Sequence, residues 1–161
     1  MDRIYQEAVN GRIQYHSEEI GRIKECGGRE PIWSEERPLF KRRRGNTRFE
    51  PFGCPSDTIG VYRIIYKPTM ETLGIGCGVV SARLGVHRKV FLNGGRDIFH
   101  KKSGTTSGSA TGGHMYRHDT HRKNWMFSWC DIGNKSLAEE YEDLLIKLEK
   151  PLFNKEWMGG K

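Results

Sequence analysis

Paired cysteines are missing from this chain of 161 residues. Cys26, Cys54, Cys77 and Cys130 all stand more than four residues apart, so no two thiolates have zinc-site spacing. No secretory leader is read at the N-terminus, and free thiols in a reducing cytoplasm are the expected state. Long apolar runs are also missing. None approaches the ~20 residues of a membrane helix, which excludes a helical membrane protein and any membrane partner from the expectation. Apolar residues make up only 35% of the chain and charged residues 29%, a composition for one real core with much exposed surface. Acid is in short supply: 27 lysines and arginines face 20 aspartates and glutamates, for a net charge of +7. That balance favours a polyanionic partner, nucleic acid first; a mildly basic surface without one is the plainer alternative. No internal repeat is visible, and the length fits one domain with attachments.

What is present divides the chain unevenly. Residues 2–25 read as helical, with a loose apolar stripe of Ile4, Ala8, Ile13, Ile20 and Ile23, a break at Asn10-Gly11 and an end at Gly27-Gly28. Residues 26–57 carry Pro31, Pro38, Pro51 and Pro55 with the run Lys41-Arg42-Arg43-Arg44, which reads as an extended basic arm. Segment 1–57 is therefore expected as a helical segment and arm, 58–155 as the compact core, and 156–161 as a tail. In the core, Ile59–Tyr66 and Thr72–Gly76 read as the strands of a hairpin turning at Lys67-Pro68-Thr69. A helix is expected from Gly78 to about Phe91, with Val79, Ala82, Val86 and Val90 on its buried face. Residues 93–123 contain the low-complexity stretch GTTSGSATGG and read as a long, flexible basic insertion. Trp125–Ile132 reads as a third strand. A capping box at Ser136 and Glu139 then opens a last helix with a stripe of Leu137, Tyr141, Leu144, Leu145 and Leu148, ended by Pro151. The order β-β-α-(insertion)-β-α predicts an α+β layered fold.

Four fragments carry chemistry-bearing groups. Arg83 and His87 lie four apart on one helix, so both project from one face; ordinary solvated basic residues are the alternative. A guanidinium can fork onto phosphate, and an imidazole can donate, accept or shuttle a proton. Glu142 sits at the edge of the last helix's apolar stripe, where its oxygens suit Mg²⁺, though Glu139, Glu140, Asp143 and Glu149 on the same helix argue for plain surface charge. Tyr62 lies in the first strand, two residues after Gly60 and opposite a glycine-rich second strand; strand glycines often mark a close approach.

Gly60-Val61-Tyr62, Gly74-Ile75-Gly76, the Arg83/His87 pair, and the stretch from Glu142 through Leu145-Ile146-Lys147 and Pro151 to Asn154 together resemble the GIY-YIG endonuclease family. The likeness spans about residues 58–155. It implies a small β-β-α-β-α core and a Mg²⁺-dependent DNA endonuclease, with Mn²⁺ able to substitute. By that resemblance Tyr62 acts near the attacking water, Arg83 neutralises transition-state charge, His87 relays a proton or holds Tyr62, Glu142 binds the metal, and Asn154 positions the phosphate or a loop. One position departs: the family's second strand opens with tyrosine, and Gly74 stands there. Lys67 and Tyr66 at the hairpin turn, and His87, are the candidates to supply the missing group.

The short chain points within the family to a restriction-type or phage DNA-degrading nuclease, in the cytoplasm of a bacterial cell or an infected host. A nicking or branched-DNA repair nuclease, a homing nuclease and an inactive nucleic-acid-binding module are the alternatives. Duplex DNA would be gripped by Lys41, Arg42, Arg43, Arg44 and Arg48, interleaved with Phe40 and Phe49, and by Lys101, Lys102, Arg122 and Lys123 in the insertion. His114, His118 and His121 have no cysteine or carboxylate that completes a familiar zinc spacing. Cutting both strands calls for two sites, hence a homo-oligomer (dimer or tetramer), with the N-terminal helix as its expected contact.

Overall fold

The computed structural model describes residues 16–45 and 48–154. Helix α1 is described over residues 16–25. It is followed by β1 (Arg37–Pro38), β2 (Ile59–Tyr66), β3 (Glu71–Val79), α2 (Val80–Leu92), β4 (Ile98–His100), β5 (Thr105–Ser107), α3 (Ala110–His118), β6 (Trp125–Asp131) and α4 (Lys135–Glu149). The fold is α+β. The main sheet is antiparallel in the order β1-β6-β2-β3, and β4 and β5 form a separate two-stranded ribbon.

Strand alternation sends side chains to two cores. Tyr62 and Ile64 of β2, with Trp125 and Phe127 of β6, pack against Leu84 and Phe91 of α2, Met115 of α3, and Leu39 and Phe40 of the arm. Val61 and Cys130 face the other way, against Leu137, Tyr141, Leu144 and Leu145 of α4 and Ile23 of α1. The sheet is thus covered on both faces, and β3 is left as its outer edge. The four cysteines are free thiols. Among the described residues no helix is long and apolar enough to cross a membrane.

β2 begins and ends where its β-branched run predicts. β3 runs on to Val79, because Gly78 and Val79 continue to pair with Gly60 and Ile59. The buried face of α2 differs from the expected one. Val80, Leu84, His87, Val90 and Phe91 are inside, while Val79 and Ala82 are exposed. Burying leucine and phenylalanine removes more apolar area from water than burying alanine, and this sets the helix rotation. The expected capping box at Ser136 is also corrected: the N-cap of α4 is Asn134, whose Oδ1 accepts from the Leu137 N–H at 3.1 Å. Leu148 is only partly buried; Ala138 and Ile146 complete the stripe. Lys150 caps the helix end in the left-handed region, φ 48°, just before Pro151.

The largest correction concerns residues 93–123. Instead of a flexible insertion they fold as the β4–β5 ribbon and α3, with Met115 fully buried. Gly112 lets α3 sit on α2: a methyl group there would lie 2.7 Å from the His87 carbonyl oxygen. Glycine here serves packing against α2 rather than looseness. The arm is similarly tied down. Arg88 donates from Nε to the Leu39 carbonyl at 3.0 Å and lies over the rings of Phe49 and Phe52.

The stripe residues Ile4, Ala8 and Ile13, the break at Asn10-Gly11 and the tail 156–161 lie outside the described residues. The described part of α1 turns Ile23 inward onto α4.

Candidate active site

A cleft opens at the β3 edge of the sheet, with a volume of about 540 Å³. Tyr62 reaches it from β2, Arg83 and His87 from α2, Glu142 from α4, and Asn154 from the short turn that follows α4. These five residues come from both covering layers. They can meet because β3 is an edge strand that carries Gly76 where a side chain would otherwise fill the gap. Gly76 is the critical opening: a methyl group there would overlap the Tyr62 hydroxyl.

Tyr62 and His87 are each only 2% exposed. Their polar atoms meet, with Tyr62 Oη 2.6 Å from His87 Nε2. The other ring nitrogen, Nδ1, lies 2.5 Å from Ser109 Oγ. Burial, reinforced by the nearby Arg83 charge, drives the imidazole down to about 3, so the ring is neutral at ordinary pH. Burial also lifts the Tyr62 phenol above its usual range, with the Arg83 guanidinium opposing. Arg83 itself is exposed at the cleft wall.

On the opposite wall, partial burial raises the Glu142 carboxyl, and the neighbouring Asp143 and Glu139 charges add to the shift. Cys77 beside it is pushed up to about 12, by burial first and then by the Glu142 charge. Among the described residues no three acidic, histidine or cysteine side chains converge, so a metal needing a full protein cage does not fit. One half-buried carboxylate crowded by like charge, in a solvent-open cleft, does suit Mg²⁺ or Mn²⁺, which bind through one or two carboxylates and keep most of their waters.

Of the two roles expected of Asn154, positioning the phosphate or a loop, the geometry fits the second kind, directed at a strand. Its Oδ1 accepts from the Ile75 N–H at 2.9 Å and its Nδ2 donates to the Ile75 carbonyl at 3.0 Å. The amide is spent on the β3 backbone, so it positions the strand and leaves no fork for phosphate.

The auxiliary candidates are elsewhere. Tyr66 donates to Asp119 Oδ2 at 2.6 Å and lines a separate hollow with His118 and Leu152. Neither Tyr66 nor Lys67 lines the cleft, and only His87 of the three stands beside Tyr62. The space over Gly74 is taken by others: a methyl group there would lie 3.3 Å from Phe153 and 3.7 Å from Thr111.

The expected DNA-gripping residues are all exposed. Lys41 pairs with Glu50 at 3.7 Å and Arg42 lies over Phe49. Phe40, interleaved with the basic run, is sunk in the core, and Phe49 is half-buried under Arg88. Lys101 and Lys102 stand at the turn of the ribbon, and Arg122 and Lys123 in a short 3₁₀ turn before β6.

Sequence reading missed Ser109, Thr111, Cys77, Glu139 and Asp143 as cleft residues. Ser109 carried a usable signal: it is a serine three residues before a backbone N–H it can cap, and its Oγ accepts from Gly112 N at 2.8 Å. No family model, no curated protein and no solved structure matches this chain.

Proposed function

We propose that this protein is a metal-dependent endonuclease that hydrolyses phosphodiester bonds in double-stranded DNA, of the GIY-YIG type. The observation that carries this reading is one cleft lined by the phenol of Tyr62, the guanidinium of Arg83, the imidazole of His87 and the carboxylate of Glu142, drawn from β2, α2 and α4. The order β2-β3-α2-β6-α4 supports it as well.

Glu142 is the residue that would hold Mg²⁺ or Mn²⁺; the chemistry an ion bound there supplies is charge neutralisation at the scissile phosphate and the leaving oxygen. Arg83, exposed at the wall, binds the phosphate and offsets charge that develops on it. Tyr62 orients the attacking water with its hydroxyl, and neutral His87 holds that hydroxyl in place. Asn154 keeps the glycine strand in register beneath them.

Grip on DNA comes from the rim. The β4–β5 ribbon runs through Gly108 and Ser109 straight into the cleft wall, and it carries Lys101, Lys102 and a Phe99 that is 63% exposed. A two-stranded ribbon fits the ~12 Å width of the major groove. Cutting both strands calls for a second copy of the site, hence a dimer or tetramer.

Supercoiled plasmid incubated with the protein and Mg²⁺ is expected to become linear, and to stay intact with EDTA. Open circle alone would redirect the reading to a nicking enzyme. Binding with no break in either strand would leave a non-catalytic module. Replacing the exposed pair Arg43 and Arg44 with alanine should lower the log–log salt slope of DNA binding by about two units, at about 0.9 per phosphate contact. An unchanged slope removes the pair from the interface.

A further inference from the structure

Ser109 is where the fold adds something to the Tyr62–His87 pair. It follows the ribbon, caps α3 and faces the cleft. Its single oxygen serves two partners: it accepts from the Gly112 N–H at 2.8 Å and lies 2.5 Å from His87 Nδ1. A serine hydroxyl owns one proton. With one lone pair given to Gly112, donating that proton to Nδ1 satisfies both atoms. In the alternative, Nδ1–H donates to the serine, whose oxygen then carries two donors and whose own hydrogen turns to the cleft.

We propose that Ser109 is a positioning residue that donates to His87 Nδ1 and so holds the neutral ring as its Nε2–H tautomer. That N–H then donates to the Tyr62 oxygen, 2.6 Å away. The phenol's own hydrogen cannot point back at either of its donors, His87 Nε2–H or the Arg83 guanidinium, and it turns towards the cleft, where water or phosphate oxygen can accept it. Two features hold the chain of contacts rigid. Tyr62 and His87 are buried, and Gly112 lets the first turn of α3 lie directly on the His87 backbone. The tautomer depends on the fold alone; its effect on rate rests on the nuclease reading above.

The test is imidazole ¹⁵N NMR on the labelled full chain, with the His87 signals assigned by their loss in His87→Asn. The expected pattern is an unprotonated Nδ1 and a protonated Nε2. Ser109→Ala should average the two nitrogens through tautomer exchange, and Ser109→Thr should restore the pattern. Ser109→Asp keeps the helix cap but offers only an acceptor, so it should reverse the tautomer and put the proton on Nδ1. On plasmid, Ser109→Ala should lower kcat about tenfold, the worth of one neutral hydrogen bond, with KM unchanged. A proton on Nδ1 in the parent, or a pattern that Ser109→Asp leaves unmoved, would overturn the proposal. The spectra give that answer whether or not the protein cuts DNA. A chain with the expected tautomer and no cutting sinks the nuclease reading alone.

Discussion

Glu142→Gln is expected to lower the cutting rate by at least about a thousandfold, while duplex affinity in EDTA stays within a few-fold. The substitution keeps the side chain's shape and removes only its charge. The surroundings make that charge costly: burial and the Asp143 and Glu139 charges all raise the carboxyl's pKa. Stability should therefore hold or rise in the variant, as when a strained functional charge is removed. Millimolar Mg²⁺ should raise the melting temperature of the parent and not that of the variant, because a ligand stabilises only the fold that binds it. A variant that still cuts, or that still responds to Mg²⁺, would end the assignment of Glu142 as the metal's ligand.

The second large effect is on stability in acid. His87 is held down to about 3 in the fold, against 6.5 for a free histidine, with burial as the first cause and Arg83 the second. Below pH 6.5 the unfolded chain takes up a proton that the folded chain refuses. Stability is then full above pH 6.5 and falls at about 1.4 kcal/mol per pH unit as the pH drops towards 3, a loss of about 2 kcal/mol by pH 5. His16, lowered by partial burial, acts in the same direction. Glu142 acts in the opposite one, since its raised pKa lets the fold take up a proton first. Both remain in His87→Asn, so the difference between parent and variant isolates His87. Urea unfolding between pH 7 and 5 should give the variant a flatter acid limb by about one proton. Equal slopes would mean that His87 titrates freely in the fold.

β2, β3, β6 and α4 were legible because their patterns are dense. Ile59–Tyr66 is β-branched and aromatic throughout, and Leu137, Tyr141, Leu144 and Leu145 repeat at helical spacing. The face of α2 was not, because small residues at Val79 and Ala82 offered a regular stripe while the larger Leu84 and Phe91 set the packing. α3 was hidden for a related reason. A helix containing Gly112 and Gly113 has poor intrinsic propensity, and tertiary contact through Met115 and Gly112 holds it in place. In the cleft, Tyr62, Arg83, His87 and Glu142 could be named from their order, each alone being compatible with core or surface. Ser109 offered only its capping signal, because its partner His87 stands 22 residues away across a stretch that reads as loose. Asn154 was found by position, but its partner Ile75 was not, since no spacing rule says that an amide will imitate a peptide.

That imitation has a consequence for the company the molecule keeps. An outer strand rich in glycine, with free N–H and carbonyl groups along it, is an invitation for another chain to pair. Asn154 takes up both backbone groups of Ile75 in the way an incoming peptide would. The sheet is thereby closed at the middle of its open flank by a residue of its own. Removing the amide, as in Asn154→Leu, trades a guarded edge for an adhesive one, and the same change that loosens the floor of the cleft would be felt as self-association.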